Sequence, residues 1–196
     1  DSNSTFVMDG GTIKGNCAGA DGGGVEIYDG ATFTMNSGTI TSNDGILGGG
    51  VDISHGATFI MNGGSITSNS VKPDPSSYVL SNLGGGVDVY ESTFTMNGGT
   101  ISKNTGKRGA GAYICSGTFT MNDGTTIAEN KASSYGGGVY VDTSTITMNS
   151  GTISKNTAKD GAGVYFDGGT FAMNDGTIAE NKASGYGGGV NIRYGT

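Results

Sequence analysis

The strongest constraint on this chain is an internal repeat that occurs seven times. Each copy reads approximately Gly-Gly-Gly-Val-x-Ile, then Thr-Phe-Thr-Met-Asn, then Gly-Thr-Ile-x-x-Asn. A fixed period of this length is typical of a solenoid, in which each unit buries its apolar face only when its neighbours stack on it. One methionine marks each copy, at intervals of 25 to 27 residues except for one interval of 35: Met8, Met35, Met61, Met96, Met121, Met148 and Met173.

Three short segments of each copy alternate apolar and polar residues, which is the period of a β-strand. The first segment is Val-x-Ile, the second is Thr-Phe-Thr-Met, and the third is centred on an isoleucine. No window has the apolar spacing of a helix. The sequence therefore predicts an all-β, right-handed parallel β-helix over residues 1–196, with about seven coils of about 26 residues and three parallel sheets.

Inward-facing residues of successive coils are expected to stack in columns. Amides at coil corners are expected to form ladders, and a glycine at the corner after each second strand, such as Gly64, is expected to adopt a positive φ. The predicted aromatic column is Phe6, Phe33, Phe59, Phe94, Phe119, Ile146 and Phe171. The predicted amide rows are Asn36, Asn62, Asn97, Asn122, Asn149 and Asn174 after Asp9, and Asn16, Asn43, Asn69, Asn104, Asn130, Asn156 and Asn181.

Composition argues against several classes of function. The formal charge is −7 with only 10 Lys and Arg residues, whereas nucleic acids and anionic membranes are bound by basic surfaces. No apolar stretch is long enough to insert into a membrane. The glycine triplets precede strands rather than helices, so they do not predict a phosphate loop, and no zinc-ligand spacing is present. We therefore expect a non-enzymatic protein without a cofactor, although the sequence contains one candidate site for Ca²⁺.

That candidate lies on the outward row of the first strands. Glu26, Asp52 and Asp88 occupy equivalent positions, so their carboxylates are expected to stack one strand spacing apart. Stacked like charges are unfavourable unless a cation lies among them, which predicts a metal site. Polysaccharide lyases of similar fold hold Ca²⁺ with acidic residues, so a Ca²⁺-dependent lyase is one alternative function.

Two further outward features predict contact with a ligand. Residues 70–83 form an insertion relative to the other copies, and insertions on one face of a solenoid are often binding loops. The next three copies place tyrosines where the first three place acids, which predicts a flat aromatic strip for a sugar or a protein. The candidate binding residues are Pro73, Pro75, Tyr78, Leu80 and Leu83 in the insertion, and Tyr113, Tyr140 and Tyr165 in the strip.

Threonines dominate the outward positions of the second strands. This Thr-x-Thr array resembles the flat face of ice-binding β-solenoids, which gives a second alternative function; threonine is also a favoured residue of any β-sheet surface. The threonines concerned are Thr5, Thr32, Thr34, Thr58, Thr93, Thr95, Thr118, Thr120, Thr145, Thr147 and Thr170.

The repeat also resembles a known family. Phe-x-x-Asn, as in Phe33 to Asn36, together with Gly-Gly-Gly-Val in place of Gly-Gly-Ala-Ile, resembles the repeats of polymorphic membrane proteins and autotransporter adhesins. The resemblance implies a bacterial, secreted or cell-surface passenger that contacts a glycan or a protein of a host or neighbouring cell. The resemblance implies no catalytic residue in this sequence. Because neither end of the chain shows a capping element, we expect a segment of a longer solenoid or a unit that self-associates end to end as a filament.

Overall fold

The computed structural model describes residues 4–73 and 83–194, which contain parallel β-strands and no helix. Each strand pairs with its counterparts in the neighbouring repeats, which gives a β-solenoid of about seven turns. In chain order the strands are β1 Thr5–Met8, β2 Thr12–Lys14, β3 Val25–Ile27, β4 Thr32–Met35, β5 Thr39–Thr41, β6 Asp44–Gly45, β7 Val51–Ser54, β8 Thr58–Met61, β9 Ser65–Thr67, β10 Ser70–Val71, β11 Val87–Tyr90, β12 Thr93–Met96, β13 Gly99–Ser102, β14 Thr105–Arg108, β15 Ala112–Cys115, β16 Thr118–Met121, β17 Thr125–Ala128, β18 Lys131–Tyr135, β19 Val139–Met148, β20 Thr152–Ser154, β21 Thr157–Ala158, β22 Val164–Met173, β23 Thr177–Ala179, β24 Lys182–Ala183 and β25 Val190–Ile192.

The prediction of three parallel sheets is confirmed, but their membership differs from the expected one. The Val-x-Ile strands and the Thr-Phe-Thr-Met strands belong to one 12-stranded sheet, because β19 and β22 each run through both segments without a break. The isoleucine-centred strands β2, β5, β9, β13, β17, β20 and β23 form the second sheet. The third sheet, which was not predicted, consists of the strands after each buried asparagine, β6, β10, β14, β18, β21 and β24; we name them the fourth strands.

Strict register along the 12-stranded sheet builds the predicted core. Phe33 of β4 pairs with Phe59 of β8, and Phe59 pairs in turn with Phe94 of β12. From Phe6 to Phe119 the stacked rings have centroids 4.8–4.9 Å apart and planes within 10° of parallel. The methionines lie beside these rings and are buried, except for the half-exposed Met173. Identical side chains one strand spacing apart therefore account for the apolar interior.

The glycine triplets allow two parts of one coil to approach closely. Gly48 and its equivalents have positive φ, while a Cβ at Gly137 would lie 2.6 Å from the carbonyl oxygen of Thr157 in the fourth strand β21. A Cβ at the third position, Gly50, would lie 2.5 Å from the carbonyl oxygen of Gly86 in the next coil and 2.8 Å from Ile66. The triplets are thus required by backbone packing as well as by the turn into the first strand.

A buried amide ladder joins all the coils. Asn43, Asn69, Asn104, Asn130 and Asn156 have no more than 1% of their surface exposed. Asn69 is representative: its Nδ2 donates to the carbonyl oxygen of Ile40 at 3.0 Å and to Oδ1 of Asn104 at 3.1 Å, while its backbone N–H donates to the same Oδ1 at 2.9 Å. Each oxygen therefore accepts two bonds and each amide nitrogen donates two, as a buried amide requires.

The exposed second-strand asparagines form a simpler ladder. Here each Nδ2 donates one bond to the Oδ1 of the preceding coil, as from Asn97 to Asn62 at 2.9 Å, and the row ends on Asp9, as predicted. Solvent can replace these bonds, whereas it cannot reach the buried ladder.

The two ladders predict a difference between two substitutions in one coil. Asn104→Ala should lower the free energy of unfolding by about 3 kcal/mol or more, because it leaves buried donors and acceptors of Asn69, Ile66 and Asn130 without partners. The matched control Asn97→Ala should cost less than about 1 kcal/mol. Urea unfolding followed by circular dichroism measures both, and equal losses would contradict the assigned roles of the ladders.

Candidate functional site

The outward row of the first strands is buried, which contradicts the predicted exposure of this row. Asp52 and Asp88 are 4% and 2% exposed, and the tyrosines that continue the row are equally covered. Glu26 alone among the three acids is exposed. The row itself is in register as expected, with Glu26 beside Asp52 and Asp52 beside Asp88.

The cover comes from the residue that precedes each glycine triplet. Positive φ at Gly84 folds the chain back so that a Cβ there would lie 2.7 Å from Cα of Asp88. This turn places Leu83 over the row, where it pairs with Leu47 of the neighbouring coil and packs in one cluster with the three tyrosines. Leu47, Leu83 and Tyr135, which directly precede glycine triplets, were the sequence signal for this cover.

The acidic end of the row lacks the features of a metal centre. Burial, followed by the charges of Asp21 and Glu26, raises the pKa of Asp52 to about 7. Burial, followed by the charges of Asp52 and Asp21, raises the pKa of Asp88 well above its ordinary value, and its Oδ2 has no hydrogen-bond partner within the described structure. Among residues 4–73 and 83–194, no three His, Cys, Asp or Glu side chains are placed to hold a metal ion. Burial and the neighbouring carboxylates therefore favour the protonated forms of Asp52 and Asp88.

The raised pKa values predict a pH-dependent stability. Because the folded chain binds more protons than the unfolded chain above pH 3.8, its free energy of unfolding should fall as the pH rises from about 4 through 7. Asp88→Asn removes one buried ionisable carboxyl and should weaken this dependence, so that the variant has a higher free energy of unfolding than the wild-type chain at pH 8. Urea unfolding at pH 4.5, 6 and 8 measures the effect.

Asp123→Asn is the matched control, since Asp123 is an exposed acid at another corner. It should leave the pH dependence unchanged. A wild-type chain that becomes more stable between pH 4.5 and 8 would show that the buried carboxyls are ionised at little cost.

The tyrosine strip is an internal stack rather than an exposed binding surface. The rings of Tyr113, Tyr140 and Tyr165 have centroids 5.1 and 5.2 Å apart and are 2–3% exposed. The Tyr113 hydroxyl donates to Asp142 at 3.3 Å and the Tyr140 hydroxyl donates to Asp167 at 2.9 Å. Burial is the first cause that raises the pKa of both phenols. The prediction that these rings lie open to a sugar or a protein is wrong, because Tyr135 and Leu83 cover them.

The insertion is described only at its two ends. Ser70 and Val71 form β10, Pro73 is exposed, and Leu83 is 4% exposed within the tyrosine cluster. Leu83 is therefore a packing residue and not the exposed binding residue that was predicted. Pro75, Tyr78 and Leu80 lie outside the described residues, so their predicted role stays a prediction.

The threonine array has the predicted geometry. Thr32 pairs with Thr58, and Thr93 pairs with Thr118 in the same outward rank. The neighbouring rank contains Thr34, Thr95, Thr120 and Thr147, with Val7, Ile60 and Ala172 at the other positions. Both ranks are exposed or half-exposed, so a regular row of hydroxyl and methyl groups faces outward.

Comparison with protein-family models, with curated proteins and with solved structures gives no match. Across residues 4–73 and 83–194, no helix has the length and apolar character needed to cross a lipid bilayer. The assignment of this chain to a functional class therefore depends on its own geometry.

Proposed function

We propose that this chain is a rigid, non-enzymatic rod of a bacterial adhesin-like protein that is secreted or held at the cell surface. The observation that supports this proposal is the unbroken stacking of the apolar core and of both amide ladders from the first described coil to the last. With strands about 4.8 Å apart, seven coils give a column about 30 Å long. The motif resemblance to polymorphic membrane proteins and autotransporter adhesins agrees with this role.

Such a rod separates two tasks between inward and outward residues. The inward residues repeat and hold the coils in register, whereas the outward residues differ from coil to coil and can be adapted to a ligand. In this chain the outward differences include the 70–83 insertion and the charged residues of the fourth strands. Glycans or proteins of a host or neighbouring cell are the proposed contacts.

An attachment assay tests the proposed role. Beads coated with the chain should attach to cell layers more than beads coated with albumin, because the rod presents its surface to the solution. Replacing residues 74–81 by a Gly-Ser linker of equal length should reduce attachment at least about threefold if the insertion contributes roughly 0.7 kcal/mol of binding. Attachment no greater than that of albumin-coated beads would overturn the adhesin proposal.

Ice binding is a second candidate, favoured by the in-register threonine ranks. Hydroxyl groups recur about every 4.8 Å across the strands and about every 7 Å along them, so the face can order water regularly. Thermal hysteresis of the wild-type chain would support this candidate, and Thr95→Lys with Thr120→Lys should then abolish it. The control pair Thr100→Lys with Thr126→Lys alters the third-strand face instead. Absence of hysteresis in the wild-type chain would exclude this candidate.

A further inference from the structure

The fourth strands carry a basic surface on an otherwise acidic protein. Lys107, Lys131, Lys159 and Lys182 lie on or immediately beside β14, β18, β21 and β24, and all four are exposed. They make up four of the 10 Lys and Arg residues in a chain of net charge −7. We name this set the lysine face.

Register places the four ammonium groups in two alternating rows. Thr105, Lys131, Thr157 and Lys182 are successive partners across the sheet, so two lysines of this row lie two strand spacings, about 10 Å, apart. Lys107 and Lys159 follow two residues after Thr105 and Thr157, where the register between β14 and β18 shifts so that Ser133 and Ser134 both lie between Ala132 and Tyr135. Lys131 is therefore flanked by Thr105 and Thr157, and Lys182 is next to Thr157.

The acids nearest to this face are already engaged. Glu129 and Glu180, which precede Lys131 and Lys182 by two residues, pair with Lys103 at 3.9 Å and with Lys155 at 3.7 Å. Asp160 is 8% exposed and accepts the backbone N–H of Tyr186 at 2.7 Å. Within the described residues, no carboxylate lies at ion-pair distance from the four ammonium groups of the lysine face.

The backbone beneath the lysine face is held firmly. Ala132 and Ala158 point inward from the fourth strands and pack with Ala110 and Ala162 of the glycine-rich turns. Because these alanines are small, the backbone of the fourth strands lies close to the backbone of the glycine-rich turns. The fourth strands therefore cannot shift independently of the turns. The lysine stems therefore start from fixed positions, which lowers the entropy that a ligand must remove.

A shallow groove of about 340 Å³ adjoins the lysine face. Val71 and Pro73 line one part of it, and Thr105, Lys107 and Ser133 line another. A groove of this size, with one cation, two hydroxyls and an apolar wall, is suited to a sugar ring bearing an acidic group.

We propose that the lysine face binds an acidic polysaccharide, whose carboxylate or sulfate groups contact the four lysines while its hydroxyls contact the interleaved threonines and serines. This proposal rests on the proposed function of the rod, since it names the class of glycan that the rod contacts. A nucleic acid fits less well because Tyr135 at the end of β18 packs into the tyrosine cluster and is not open for base stacking, and because the chain as a whole is acidic.

Titration calorimetry of the whole chain with two acidic polysaccharides, a neutral polysaccharide and a DNA duplex tests this proposal. Polygalacturonate and dextran sulfate should bind at 20 mM salt, binding should weaken at least about tenfold at 300 mM salt because exposed ion pairs are screened, and neutral dextran should not bind. The variant Lys107→Gln/Lys159→Gln should lose about fivefold or more in affinity, since each exposed pair contributes modestly.

The matched control Lys14→Gln/Arg193→Gln has the same net charge as this variant but leaves the lysine face intact, together with the ion pairs of Glu129 and Glu180 beside it. It should lose less than about threefold in affinity if the position of the charges decides binding. Equal losses in the two variants, binding of dextran, no binding of either acidic polymer, or tighter binding of a DNA duplex would each overturn the proposal. Cell attachment that persists without polyanion binding would leave the adhesin role intact and reject only this ligand.

Discussion

The rest of the structure depends on the buried asparagine ladder. Asn69, for example, donates to the carbonyl oxygen of Ile40 and accepts two bonds from Asn43 of the preceding coil, and it donates a further bond to Asn104 of the next coil, so one residue ties three coils together. A shift of one residue in any coil would leave several buried polar groups unpaired at once. The ladder therefore fixes the register that the phenylalanine and methionine columns then fill.

Fixed register has a consequence for the outer surface. Because equivalent positions of successive coils are neighbours, any outward residue stacks on its own counterparts, and charge patterns in sequence become charge patterns in space. Asp52 and Asp88 form a buried acidic pair in this way, while Lys103 beside Glu129 and Lys155 beside Glu180 become ion pairs. The lysine face is a third case, in which basic residues alternate with hydroxyls.

Much of the fold could be predicted because the inward residues obey a period of two and a repeat of about 26. Phe59, Met61 and Asn69, for example, occupy the expected columns. The fourth strands were missed because their sequences differ from copy to copy, as Asp44–Gly45 and Ser70–Val71 do, and contain no large apolar residue that recurs like the isoleucine of the second sheet. The burial of Asp88 and Tyr140 was also missed, since alternation alone places them outside and only the geometry of the turn at Gly84 or Gly136 reveals the cover. The outward side chains that would bind a ligand are not constrained by stacking between coils. For this reason the candidate sites were predicted less well than the core.

Exchange of the asparagine side-chain amide protons, followed by NMR, tests the central role of the ladder most directly. The Nδ2 protons of Asn69, Asn104 and Asn130 should exchange as slowly as backbone amides of the core strands, because both protons of each group are donated in a buried site. Those of Asn62 and Asn97 should exchange quickly, since these side chains are exposed. Fast exchange at all five positions would contradict the account, because the coils would then be held together without the buried ladder.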